Sequence, residues 1–137
     1  EYKMKANEGF SLLELILVMV IMSILAGMVA FAVAGRGNQA RETRARADLA
    51  TYQNAIEAFA LEHQDKYPKS LNDLATPNKK GISYILKIKP DGWGNAYVYS
   101  YPGKKNKYDL YSMGIDGISG TEDDLSVWDD AEKESAQ

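Results

Sequence analysis

Between Phe10 and Ala34 the chain runs for 25 residues with a single charged side chain, Glu14. At about 1.5 Å of rise per residue, an apolar run of this length is long enough as a helix to cross a bilayer. A carboxylate in hydrocarbon costs roughly 2.5–3.5 kcal/mol on insertion scales, so Glu14 near the start of the run demands a reason. The stretch ahead of it, Met4-Lys5-Ala6-Asn7-Glu8-Gly9, is polar and too short to fold. Met4 reads as the true start, with Glu1 to Lys3 upstream of it.

With the first 34 or so residues committed to leader and membrane, roughly 100 remain, enough for one small globular domain. The chain has no cysteine, which removes both a disulfide framework and a thiolate metal site. Its net charge of −3 argues against nucleic acid as a partner, since such binders carry a basic stripe. A single histidine leaves few parts for nucleophilic or zinc chemistry.

Three readings of the N-terminus are open from the residues alone. A secretory signal peptide would use Lys3 and Lys5 as its basic region and Ala32-Val33-Ala34 as a cleavage site before Gly35. Its apolar region, however, should span about 7–15 residues, and this one is far longer. A plain single-span anchor leaves Glu14 unexplained. The third reading rests on Gly9-Phe10-Ser11-Leu12-Leu13-Glu14, which resembles the processing site of type IV pilin-like proteins. In that family a dedicated prepilin peptidase cuts after the glycine and methylates the new N-terminus. The resemblance implies a leader over residues 1–9, cleavage after Gly9, methylation of Phe10, and a membrane and assembly half-helix over 10–34. One count opposes an outward-facing C-terminal domain. Arg36, Arg41, Arg44 and Arg46 follow the span, against Lys3 and Lys5 before it, and the positive-inside rule favours the reverse orientation. The resemblance is given precedence over that count.

From Ala45 the larger or apolar side chains fall at Ala45, Leu49, Tyr52, Ile56, Phe59 and His63, steps of four and three that form one helical stripe facing a core. Together, Phe10 to about His63 would make a rod of roughly 80 Å if unbroken. Gly35 and Gly37 are its weak points, each costing about 1 kcal/mol relative to alanine. Pro68 stops the pattern, and Ser70 is expected to N-cap a short helix through about Ala75. Pro77 to Gly81 is a lysine-bearing loop, and Ile82 to Ile88 reads equally as a short helix or a strand. Ala96 to Tyr101 alternates, with Tyr97, Tyr99 and Tyr101 on one side of a strand. Pro102 to Asn106 turns the chain, and Tyr108 to Met113 returns it. Asp129 to Gln137 reads as a frayed acidic tail. The expected fold class is α+β: a long N-terminal helix whose second half is covered by a small antiparallel sheet, within a globular domain over 35–137.

Gly114 to Asp124 is the chemically most specific segment outside the N-terminus. Glycines at 114, 117 and 120 permit tight turns, and four carboxylates occur within nine residues. No lysine or arginine lies between Tyr108 and Glu132 to neutralise them. Such carboxylates either spread into solvent or gather on a cation. Hard oxygens suit calcium, which takes about six to eight of them, backbone carbonyls included. The spacing is not that of an EF-hand.

The same loop resembles the calcium loop of the major pseudopilins of type II secretion systems. Carried across, the resemblance implies Asp116, Asp123 and Asp124 as side-chain ligands, the carbonyls of Met113 and Ile118 as weaker ones, and Glu122 pointing outward. Two stretches extend the likeness: Lys66-Tyr67-Pro68 followed by Leu71 and Leu74, and Asp91-Gly92-Trp93-Gly94-Asn95-Ala96-Tyr97. Trp93 is expected to be a buried anchor held by a glycine turn. The family commonly has a proline before that tryptophan, where this chain has Gly92, and a proline near the end of the apolar run, where it has Phe31. The lack of cysteine favours a pseudopilin over a disulfide-closed pilus subunit.

The resemblance implies a structural subunit that polymerises into a short periplasmic filament and drives type II protein secretion. Implied partners are further copies of itself, minor pseudopilins, an inner-membrane assembly platform, the prepilin peptidase and the bilayer. The subunit would be single-pass in the bacterial inner membrane with its C-terminal domain in the periplasm. Glu14 would pair with the amine of Phe10 on a neighbouring subunit. Two alternatives stay open: a pilin-like subunit of a pilus or DNA-uptake filament, and a signal-anchored enzyme. The enzyme has little support. His63 sits on the apolar stripe, where a packed or rim histidine is the usual role, and no phosphate cradle follows a strand.

Overall fold

The computed structural model describes residues 9–135, so most of the expected leader and the last two residues lie outside the described residues. The chain divides into two compact units, residues 1–37 and 38–137.

In the first unit, helix α1 (Leu12–Glu62, 51 residues in all) begins on a capping residue that the pattern of apolar residues did not reveal. Ser11 Oγ accepts the N–H groups of Leu13 and Glu14, at 3.1 and 3.4 Å. That satisfies two of the donors a helix start leaves orphaned. Every side chain from Leu12 to Ala30 is exposed. A stretch this apolar with no protein against it is long enough to cross a membrane. The helical assignment continues through Gly35 and Gly37.

The second unit is built on the remainder of α1. Ala45, Leu49, Tyr52 and Ile56 are buried as the stripe predicts, with Ala55 and Ala60 beside them and Phe59 half-buried. His63 is a correction: it lies past the helix end, exposed, with its ring stacked 3.9 Å from that of Phe59. The helix stops before Pro68 is reached. Gln64 and Asp65 both take positive φ, and the Asp65 N–H closes on the Ala60 carbonyl at 2.9 Å. This is a left-handed helix terminus made without glycine.

Helix α2 (Asn72–Ala75) is shorter than expected, and Ser70 does not cap it. Asp73 instead reaches back and accepts the N–H groups of both Lys69 and Ser70 at 3.0 Å, the return half of a capping box. The segment 82–88 is neither helix nor strand. The N–H groups of Tyr84 and Ile85 both bond the Leu74 carbonyl, which leaves no ladder to extend. Ile85 is buried there, and Leu86 is 98% exposed.

Three short strands follow: β1 (Val98–Ser100), β2 (Asp109–Ser112) and β3 (Leu125–Ser126), antiparallel in the order β1-β2-β3. Val98 faces Tyr111, and Ser112 faces Leu125. The first two are the expected hairpin, trimmed at both ends; β3 went unforeseen, because two residues carry no readable period. The tyrosine row is inward only in part, since Tyr97 is buried, Tyr99 half-buried and Tyr101 exposed. Their hydroxyls tie the sheet to the rest of the unit: Tyr97 donates to Asp48 at 2.9 Å and Tyr99 to the Pro68 carbonyl at 2.7 Å. Tyr108, fully buried, packs among the rings of Tyr67, Tyr99 and Trp128 and donates to Glu57 at 3.2 Å. The expected frayed tail is a further correction. Asp129–Ser135 forms helix α3, and Asp129 accepts the Ser126 N–H at 3.0 Å at its start.

Gly92 has a steric reason. A Cβ there would sit 2.7 Å from Arg41 Cβ and 2.9 Å from Arg41 Cα, so the turn before Trp93 lies directly on α1. Replacement Gly92→Ala should therefore lower the free energy of unfolding by about 1–3 kcal/mol, as overpacking does. Denaturant titration of the detergent-solubilised chain checks this, and an unchanged midpoint would refute the close approach.

Candidate functional sites: the helix start and the acidic glycine loop

Gly9 and Phe10 precede α1 without regular structure, and both are exposed. Glu14 stands in the first turn of α1, where the helix dipole favours a negative charge. It is exposed and pairs with no cation among the described residues. The structure therefore leaves this carboxylate available, one turn from Phe10.

The acidic loop starts where β2 ends. Gly114 has φ +65°, and a Cβ there would lie 2.3 Å from the Asp123 carbonyl oxygen. Only glycine lets the two ends of the loop cross so closely. Within the loop, Asp116 Oδ1 accepts the Ile118 N–H at 2.8 Å, while the Asp116 N–H donates to Asp123 Oδ2 at 3.0 Å. Asp124 Oδ2 accepts the Gly120 N–H at 2.7 Å. The remaining oxygens meet around one side chain. Thr121 Oγ1 lies 2.6 Å from Asp123 Oδ1, 3.0 Å from the Ile118 carbonyl and 3.5 Å from Asp124 Oδ1.

Three of the five expected ligands, Asp123, Asp124 and Ile118, thus surround the Thr121 hydroxyl. Asp116 joins them through its backbone, with its carboxylate turned to Ile118. Met113 sits at the loop entrance, and no hydrogen bond among the described residues ties its carbonyl to the others. Glu122 is exposed, as expected. Among the described residues, no three acidic or histidine side chains converge closely enough to hold a metal in this geometry. The donor set is nonetheless all oxygen and mostly anionic, which matches a hard divalent cation.

Sequence reading missed the support behind the loop. Asp91 is 3% exposed. Its Oδ1 accepts the N–H groups of Trp93 and Asn95 at 3.0 and 2.8 Å, and its Oδ2 accepts the Ser112 hydroxyl at 2.7 Å. Ser112 Oγ in turn accepts the Gly114 N–H at 3.2 Å. The tryptophan turn is thereby wired to the loop entrance, and the Asn95 amide packs against Gly117. An aspartate followed by glycine is the usual mark of a side chain bonding its own backbone two residues on, so the signal was present. Trp93, expected buried, is half-buried, and its Nε1 is shielded from solvent without a hydrogen-bond partner among the described residues.

The Thr121 hydroxyl, and then the Asp116 N–H, hold the Asp123 carboxyl below its usual range. A depressed carboxyl stabilises the fold above its unfolded pKa and loses that contribution as pH falls through the folded value. Thr121→Val should move the Asp123 pKa up toward the ordinary carboxylate value, read by carboxyl NMR titration. An unmoved titration would remove Thr121 from the account.

Residues 32–128 match the family described as type II secretion system (T2SS), protein G, and residues 4–30 match the prokaryotic N-terminal methylation motif. The chain is similar to the type II secretion system core protein G of Escherichia coli K12, with 36% identity covering 89% of this chain and 91% of that protein. It is likewise similar to the proteins of that name in Aeromonas hydrophila (33% identity, 90% and 94% covered) and Vibrio cholerae (33% identity, 92% and 94% covered). Among solved structures it is similar to the major pseudopilin from the type 2 secretion system of enterohaemorrhagic Escherichia coli. That match has a TM-score of 0.61 and 26% identity, over 69% of this chain and 87% of the other.

Proposed function

Because this chain belongs to the protein G family of type II secretion systems, we propose that it is the major pseudopilin, a structural subunit that polymerises into a periplasmic filament driving protein secretion. The observation that carries this reading is the joining, on one helix, of a methylation-motif segment and a protein G domain. The assignment is structural rather than enzymatic.

In this reading residues 1–9 are the leader, removed by prepilin peptidase after Gly9, and Phe10 is methylated. Residues 10–34 hold the subunit in the inner membrane, with residues 35–137 as the periplasmic unit. On assembly, apolar contact with lipid is exchanged for contact with neighbouring helices, so little transfer free energy opposes extraction. Glu14 sets the register. Its carboxylate meets the positive amine of Phe10 on an adjacent copy, which relieves a charge otherwise unmatched in hydrocarbon. Minor pseudopilins and the inner-membrane assembly platform are the remaining partners.

The acidic loop binds calcium in this reading, through Asp116, Asp123 and Asp124 with carbonyls of Met113 and Ile118. The clustering of Asp123, Asp124 and the Ile118 carbonyl around Thr121 supports it. The ion neutralises carboxylates that have no basic neighbour in sequence and pins a loop with little core of its own. A ligand that binds only the folded state at a hundredfold excess over Kd stabilises it by about 2.7 kcal/mol.

N-terminal mass analysis of membrane-extracted protein tests the class directly: a start at methylated Phe10 is expected, and a start at Gly35 would overturn it. Glu14→Ala should insert and be cleaved normally yet form no filaments; normal filaments from it would remove the register pair. Calcium should raise the melting temperature of the parent chain and chelator should reverse this, while Asp124→Ala abolishes the difference. A parent chain that melts alike in calcium and chelator has no such site.

A further inference from the structure

We propose that a rigid dilysine turn on one copy seats in an acidic cleft of a second copy, joining successive subunits head to tail by charge. This rests on the filament reading above and names which surfaces of the polymer meet.

The cleft, of about 800 Å³, lies between the α1 segment from Asn38 to Arg46 and the stretch from Glu122 to Lys133, with Trp93 and Ile115 also lining it. Glu42, Glu122, Asp123, Asp124, Asp129 and Glu132 line it against two cations, Arg46 and Lys133. Arg46 is already engaged, 3.1 Å from Glu42 and 3.9 Å from Asp129. Acidic side chains outnumber basic ones in the lining, six to two. A divalent cation held by the loop would reduce that excess without reversing it. An indole beside carboxylates suits an ammonium group on an alkyl stem, which places its charge among the acids and its methylenes along the ring.

The turn is prepared for such a role. The Asn78 N–H bonds the Ile82 carbonyl and the Gly81 N–H bonds the Asn78 carbonyl, both at 2.8 Å. Asn78 Oδ1 also accepts the N–H groups of Lys80 and Ile82 at 2.9 and 3.1 Å, and Gly81 takes the positive φ that closes the turn. Lys79 and Lys80 project from this frame, exposed, and neither forms an ion pair among the described residues. A preformed backbone loses little freedom on docking.

The two features lie at opposite ends of the second unit. The turn shares a pocket with Ala58, Glu62 and His63, whereas the cleft includes Glu42 and Arg46. Along α1, Glu42 and Glu62 are about 30 Å apart at helical rise. Lys66 and Lys69 add to the basic end, beside Glu62 and Asp73. A patch that complements a different patch on the same chain makes a heterologous contact, and such contacts propagate as filaments when they do not close into rings.

The chain has no cysteine, so crosslinking is clean. The full-length double variant Lys79→Cys with Glu122→Cys, oxidised mildly in membranes that carry filaments, should give a ladder of dimers, trimers and larger species. Each single variant should give none. Filaments that form without the ladder overturn the proposal; a parent chain that never forms filaments overturns the filament reading instead. Charge reversal is the second arm, independent of disulfide geometry. Lys79→Glu with Lys80→Glu should cut filament yield by about tenfold, the effect of placing like charges across each junction, and adding Glu122→Lys should restore it. Parental yield from the lysine reversal alone overturns the proposal.

Discussion

The globular unit depends on one apolar face of α1. Three strands of three, four and two residues are too short to be stable by themselves, and their inner side chains have nowhere else to be buried. Ala45, Leu49, Tyr52, Ala55 and Ile56 provide that surface, and Tyr97, Tyr108, Leu110 and Leu125 share their cluster. The small residues let the chain come close, as Gly92 does against Arg41, while the tyrosines span the gap and end in hydrogen bonds to Asp48 and Glu57. Desolvation is the main cause that pushes the Tyr97 and Tyr108 hydroxyls up, which favours the neutral form that donates in each of these bonds.

A second layer of order is polar and radiates from Asp91. One buried carboxylate fixes the tryptophan turn with one oxygen and the end of β2, through Ser112, with the other. The acidic loop leaves the sheet at that point, so its entrance is tied down while Asp123 and Asp124 turn their carboxylates onto the loop's own donors. This arrangement separates two tasks. The anchor of the loop comes from neutral and backbone donors, which leaves Asp123 and Asp124 to share the Thr121 hydroxyl.

Much of this was legible in the sequence because the longest signals are the cheapest to read. The apolar run, the four-three stripe from Ala45 to Phe59 and the tyrosine alternation each repeat often enough to declare a geometry. What could not be read was decided by single partners. Ser11 rather than a patterned residue starts α1, and Asp73 inside α2 reaches back to the Lys69 and Ser70 N–H groups where a Ser70 cap was expected. Residues 82–88, readable as helix or strand, form neither, and their Tyr84 and Ile85 N–H groups go to the Leu74 carbonyl. Leu125 and Ser126 become a strand only because Tyr111 and Ser112 are there to receive them. At the loop, composition marked only a cluster of carboxylates among glycines, and the resemblance to a calcium loop is what grouped Asp123 and Asp124 with the Ile118 carbonyl; Thr121, which lies between them, carries no charge to mark it.

The ties that close the globular unit span long stretches of chain: Tyr97 reaches Asp48 across 49 positions, and Tyr108 reaches Glu57 across 51. Each needs its helix partner already in place, and each tethering tyrosine is made long after that partner. The apolar side of α1 is therefore covered only in part, by Leu71, Leu74 and Ile85, until the chain through Leu125 has emerged. Non-local closure of this kind is slow relative to helix formation. A nascent subunit thus passes through an interval in which part of that apolar flank still faces solvent.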